Sequence, residues 1–392
     1  MIPFAKARDL LLEHTRVTGS ERIRIEHAAG RVLRQELRAD RDYPPFDRVM
    51  MDGYAVRAAD FARGRSFRVT GCAPAGLAVV CLTDMPGTCV EVMTGAPCPS
   101  GADCIVPVEE VTRVGDEIAI AHGFAPVAGR FIHRAGADAR QGEILLTSGT
   151  RLGGREIGVA ASCGAGWLEV ARIPDIAVLA TGDELVPVDT RPAAHQIRQS
   201  NAHALTCALQ LAGFPPSRAD AISDAPEERQ RVAGLLNECD WLLITGAVSK
   251  GARDFIPGLL AALGCAKLFH GVAQRPGKPA GCWLGPGEQL VMALPGNPVS
   301  ALTGLHALVL PALAAAVGQP PPASRIVTPA EPLAGLEGLT HHLPVVLDAG
   351  GRARPAPPGN SGDFIGLLRS DGFVTLPPGP GPFAAVPFTP WL

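Results

Sequence analysis

Two basic side chains, Arg275 and Lys278, lie on the Pro/Gly-stiffened segment Gln274-Arg275-Pro276-Gly277-Lys278-Pro279. Full positive charges on a constrained loop suit a phosphate or another oxyanion. Further along, the apolar run from Gln289 to Leu294 ends in Pro295-Gly296-Asn297-Pro298-Val299-Ser300. Asn297 is expected to cap a long Ala/Leu-rich helix with Pro298 at its first position. Pro295, Gly296 and Ser300 then stand beside a helix N-terminus, whose free N–H groups favour an anion. The segments Thr181-Gly182-Asp183-Glu184 and Thr245 to Asp254 add hydroxyls and carboxylates, among them Glu184, Ser249 and Asp254, and Asp224 opens a further acidic stretch. Carboxylate oxygens suit Mg²⁺, so the mixture points to a phosphorylated ligand with a divalent cation. Neither G-x-x-x-x-G-K-[ST] nor G-x-G-x-x-G occurs, which excludes a P-loop NTPase and an ordinary dinucleotide fold.

These residues need strand ends to carry them. Between Asp175 and Gly318 the pattern alternates as α/β: strands at Ile176 to Ala180, Trp241 to Ile244, Lys267 to Ala273 and Gln289 to Leu294, with helices between them. Parallel sheets bind ligands at the carboxyl ends of their strands, where all four polar segments fall. Upstream, Phe4 to Arg16 has helical spacing, Glu21 to Glu26 alternates like a strand, and His27 to Leu37 reads as a short helix containing Gly30. Short β runs separated by Gly/Pro turns fill Ser66 to Ile120 and return after Ala323. The first β region carries its own polar sites: Asp52 in Met51-Asp52-Gly53-Tyr54, Thr94 in Met93-Thr94-Gly95-Ala96-Pro97, and Asp138 after His133, Arg134 and Gly136.

Composition narrows the class. The 392 residues carry a formal net charge of −3, so overall charge gives nucleic acid no support as a partner. Ten scattered cysteines without a C-x-x-C predict reduced thiols rather than zinc or a disulfide framework. No signal core follows Met1, and apolar runs such as Ala307 to Val317, which contains Pro311, read as too short to cross a bilayer, so a cytoplasmic protein without a membrane partner is expected.

Taken in order, these motifs resemble the MoeA-type molybdopterin molybdenumtransferases, the family that includes the E domain of gephyrin and of plant Cnx proteins. The resemblance covers essentially the whole chain. It implies a multi-domain α/β plus β protein: an elongated N-terminal domain over 1–45 and 144–172, an inserted small β domain over 46–143, a three-layer α/β molybdopterin-binding domain over 173–321 and a C-terminal β barrel over 322–392. It also implies a homodimer with clefts shared between subunits. The implied reaction is Mg²⁺-dependent insertion of molybdate into the dithiolene of adenylylated molybdopterin, with release of AMP. By motif, Asp52, Thr94, Asp138, Glu184, Asp254 and Lys278 take catalytic positions. Ser249, Arg275, Pro295, Gly296, Asn297, Pro298 and Ser300 bind the pterin nucleotide and oxyanion, and Asp224, Glu184 and Asp254 bind the metal. Contacts with the adenylyltransferase and with apo-molybdoenzymes are further implications. The chain departs from the family pattern at Ala247, Ala252, Gly271 and Ala280, which leaves a tungstate-specific insertase or a non-catalytic pterin carrier as alternatives.

Overall fold

Period-two burial divides the strands at the centre of the structure between two cores. In Ile176–Thr181, Ile176, Val178 and Ala180 join one core while Ala177 and Leu179 join the other. Trp241–Thr245 and Leu290–Leu294 split in the same way, with Leu243 and Met292 on the first side and Leu242, Ile244 and Val291 on the second. A sheet covered on both faces needs apolar residues at every position, which is why these strands read as unbroken hydrophobic runs. The helices Asn201–Ala212 and Pro298–Gly304 close the first face; Arg229–Glu238 and Ile256–Ala262 close the second.

This computed structural model describes residues 1–223, 228–247, 255–321 and 324–392. They form two compact units, Met1–Arg22 with Gly30–Arg34 and Glu169–Leu392, and Ile23–Ala29 with Gln35–Leu168. The α/β sheet of the first unit has the order Arg218–Ile222, Ile176–Thr181, Trp241–Thr245, Leu290–Leu294, Gly281–Leu284, Ala266–His270. Its first four strands are parallel, Gly281–Leu284 runs antiparallel to them, and Ala266–His270 pairs antiparallel with Gly281–Leu284. The same unit holds a seven-stranded sheet in which Thr340–Leu347 pairs with Val272–Arg275, Ala353–Pro355 and Gly372–Leu376. Ile2–Pro3 pairs with Val272–Arg275, and the helix Phe4–Glu13 that follows buries Ala7 and Leu11 in the α/β core. The second unit is built on a six-stranded sheet, Cys104–Pro107, Gly53–Val56, Thr88–Val92, Ser66–Ala73, Glu117–Ile120, Val111–Val114. Gly53 has no substitute there, since a Cβ would lie 2.0 Å from the carbonyl oxygen of Val106.

Several expectations change. No helix spans His27 to Leu37; a 3₁₀ turn covers Ile25–His27, Gly30 sits at φ 77°, and Leu33 bridges to Val170. The run from Lys267 to Ala273 is two strands in two different sheets, broken at Gly271, whose φ of 88° ends one strand and starts the other. Any residue with a Cβ would be strained at that φ, and Ala280 is fully buried, so both positions favour small residues. The apolar run near Pro311 is longer than it reads. Pro298–Ala316 forms one helix, long and apolar enough to cross a membrane, yet it lies largely buried in the core. Pro311 lacks an N–H and its ring crowds the preceding turn, and a π turn at Leu305–Val309 widens the helix just before it.

His342 is fully buried between Phe4 and Phe373, with ring centroids at 4.8 and 5.3 Å and its Nδ1 3.1 Å from Thr375 Oγ1. Burial, reinforced by neighbouring His341, lowers its pKa from 6.5 to about 3. The unfolded chain therefore takes up the proton first as pH falls, so stability is full above about pH 6.5 and declines below it by about 1.4 kcal/mol per pH unit for this one group. Urea midpoints measured from neutral pH to about pH 5 are expected to fall accordingly, and His342→Phe is expected to flatten part of that dependence.

Candidate functional site

Two strand ends of the α/β sheet and the start of a helix meet at one hydroxyl. Thr245 Oγ1 donates to the carbonyl of Pro295 at 2.9 Å and accepts from Asn201 Nδ2 at 3.0 Å, while the same amide reaches the carbonyl of Gly296 at 2.7 Å. Glycine is required beside it at position 246, where a Cβ would lie 2.3 Å from the Thr181 carbonyl oxygen, while Gly182 holds φ 153°, which side chains rarely adopt. The result is a cavity of about 820 Å³ lined by Thr181, Glu184, Asn201, Gly246, Pro295 and Asn297, with other residues of the same loops and Gly362–Ile365. Thr181 is buried and its Oγ1 has no hydrogen-bond partner among the described residues, as expected of a wall that meets a ligand or water. Ala247 adopts φ 48° despite its Cβ, a left-handed conformation that is strained for any residue but glycine.

The helix start differs from its expected form. Asn297 does not cap the helix with its side chain; its Nδ2 donates to Ser361 Oγ at 2.8 Å. The Val299 N–H is taken by the Ser361 carbonyl at 3.2 Å, the Ala301 N–H by Asn297, and Pro298 has none. Few free N–H groups remain for an anion, and Ser300 is buried, lining a second cavity instead.

That second cavity, about 550 Å³, collects Arg275, Lys278, Ser300 and His341 and shares Pro279, Pro295 and Asn297 with the first. Neither Arg275 nor Lys278 has an ion-pair partner among the described residues. Three polar atoms in its lining residues, Gln274 Oε1, His341 Nδ1 and His342 Nε2, are buried without partners. Burial, then the Arg275 charge, lowers the His341 pKa.

Within the second unit, Asp52 Oδ1 accepts both the backbone N–H and the hydroxyl of Thr94 at 2.7 Å, and these bonds, the backbone one foremost, hold its carboxyl below the usual range. Asp138 Oδ1 lies 2.9 Å from His133 Nε2. The sequence thus signalled Asp52, Thr94 and Asp138 but not His133 as a partner; nor did it single out Thr245, Asn201 or Ser361 for their contacts. Asp224, Ser249 and Asp254 lie outside the described residues, as does Ala252. Among the described residues no group of three or more His, Cys, Asp or Glu could hold a metal, and Glu184 is the one expected metal ligand at the cavity. The full donor set is all carboxylate, the chemistry Mg²⁺ takes.

Comparison with known proteins adds to this geometry. Residues 2–164 match the MoeA N-terminal region (domain I and II), and residues 177–315 match the probable molybdopterin binding domain. The chain is 36% identical to a molybdopterin molybdenumtransferase of Synechocystis sp. over the full length of both, and 38% identical to one of Synechococcus elongatus over 75% of each. It also resembles the solved molybdopterin biosynthesis MoeA protein of Pyrococcus horikoshii, with a TM-score of 0.82 and 26% identity across 99% of this chain and 100% of that one.

Replacing Thr245 by Val keeps shape but leaves the Pro295 carbonyl and the Asn201 amide short of a partner. It is expected to cost about 1–3 kcal/mol in urea unfolding. Ala247→Gly should instead stabilise by about 0.5–1 kcal/mol, the relief of left-handed strain exceeding the added freedom of the unfolded chain.

Proposed function

The chain belongs to the family of MoeA-type molybdopterin molybdenumtransferases, and from that premise we propose that it inserts molybdate into the dithiolene of adenylylated molybdopterin with release of AMP. It is a transferase of molybdenum cofactor biosynthesis. The observation that carries this reading is the pair of adjoining cavities: one faced by Glu184, Thr181 and the Pro295–Asn297 turn, the other by Arg275 and Lys278, cations without an ion-pair partner among the described residues, with Asn297 common to both. An organic phosphorylated substrate and a small oxyanion each find fitting chemistry within reach of one another.

In this reading the first cavity receives the pterin nucleotide, held by Pro295, Gly296, Asn297, Pro298 and Ser249. Arg275 and Lys278, with Ser300 beside them, hold the oxyanion, which is molybdate. Mg²⁺, held by Glu184 with Asp224 and Asp254, supplies charge neutralisation at the phosphoanhydride. Asp52, Thr94 and Asp138 complete the site from the partner subunit of a homodimer. The four-domain layout with a C-terminal barrel, a cytoplasmic setting, and transient contacts with the adenylyltransferase and apo-molybdoenzymes belong to the same proposal.

Single-turnover release of AMP from adenylylated molybdopterin tests it. Release is expected with molybdate and Mg²⁺, and its loss on chelation. Lys278→Ala should raise the oxyanion concentration needed by roughly tenfold or more, the worth of one charge-assisted contact. Release supported by tungstate alone would reassign the oxyanion, and tight binding without release under any condition would make the protein a carrier.

A further inference from the structure

Behind Asp138, the second unit contains two polar residues, Arg48 and His133, to which the reaction assigned above gives no part. Arg48 and His133 are cross-strand partners on the two-residue strands Arg48–Val49 and Ile132–His133. Arg48 Nη2 lies 3.2 Å from His133 Nδ1, and His133 Nε2 lies 2.9 Å from Asp138 Oδ1. A guanidinium has donors only, so Nδ1 must face it with its lone pair. The ring proton then sits on Nε2, where it donates to Asp138. In the other tautomer, N–H would oppose N–H at Arg48 and a lone pair would oppose the carboxylate, so both contacts would repel.

We propose that His133 is a positioning residue for molybdate insertion, holding Asp138 by one carboxylate oxygen in a tautomer that Arg48 imposes. The proposal rests on the reading in which Asp138 meets substrate. Asp138 Oδ2 has no hydrogen-bond partner among the described residues, so one oxygen is anchored and the other is open. Asp52 repeats the design, with Oδ1 taking both Thr94 donors. The strand segment carrying Arg48 joins the two: the Val49 N–H donates to the Ala96 carbonyl at 2.9 Å and the Val49 carbonyl accepts from Gly95 at 2.9 Å, which sets the Thr94 turn, while its other edge sets His133.

Nitrogen-15 NMR of the imidazoles in the full-length protein reads the tautomer directly. His133 is expected to show a protonated-type shift at Nε2 and an unprotonated-type shift at Nδ1, and Arg48→Met is expected to give a mixture. In single-turnover assays, His133→Leu should slow AMP release roughly tenfold with little change in KM for adenylylated molybdopterin, as for a misplaced catalytic group. His133→Gln, whose amide N–H can reach Asp138, should recover most of the rate. A proton on Nδ1 in the wild type, or full activity in His133→Leu beside an active wild type, overturns the inference alone. A wild type that releases no AMP overturns the functional reading and the role of His133 with it, whatever the tautomer.

Discussion

The Thr245 hydroxyl is the one polar atom on which the larger unit's site depends. Donating to Pro295 and accepting from Asn201, it fixes the loops that follow two strands against the start of a helix, in surroundings nearly closed to water. A hydrogen bond in such a place is strong when made and costly when lost, since no solvent takes the partner's place. The glycines around it follow from this closeness. Gly246 is confined to glycine because the Thr181 carbonyl occupies the space where a side chain would go, and Gly182 by its φ of 153°. The wall between the two cavities is then set by Pro295 and Asn297, and Ser361 locks it from the C-terminal segment.

That wall gives the C-terminal strands a part in the chemistry of the α/β sheet. Arg275 ends a strand of the seven-stranded sheet, in which Val272–Arg275 pairs with both Ile2–Pro3 and Thr340–Leu347. The register sets Arg275 opposite His341, so a cation and a buried imidazole face one cavity because of strand pairing rather than loop chance.

The α/β portion was legible because double-sided burial writes itself as apolar runs, and because turns with Gly, Pro and Asn mark the strand ends that carry a site. The polar residues Glu184, Arg275, Lys278 and Asn297 could be picked out for the same reason. What stayed hidden were contacts between segments far apart in the chain. Ser361 reads as part of an ordinary Gly/Asn/Ser turn until its carbonyl is found on Val299. Arg48 and Val49 form a strand too short for any periodicity, yet they hold both polar loops of the second unit. Gly271 looked like an interior strand residue because sequence alternation cannot reveal that a chain has changed sheets there.

The helix Pro298–Ala316 has a consequence for how the protein is made. It has the length and apolarity of a bilayer-spanning segment, and its buried His306 is satisfied by Leu302 within the helix and by the N–H of Leu392, with Trp391 edge-on to the ring. A ribosome delivers that helix well before the residues that cover this face of it, since Leu392 comes 86 positions after His306. During that interval the His306 face of the helix lacks its cover, although the preceding strands and helices that bury its other side have already been made. A chain stopped short of Val386–Pro390 would lack Trp391 and Leu392, leaving His306 Nε2 without the Leu392 N–H and that face of an otherwise apolar helix uncovered.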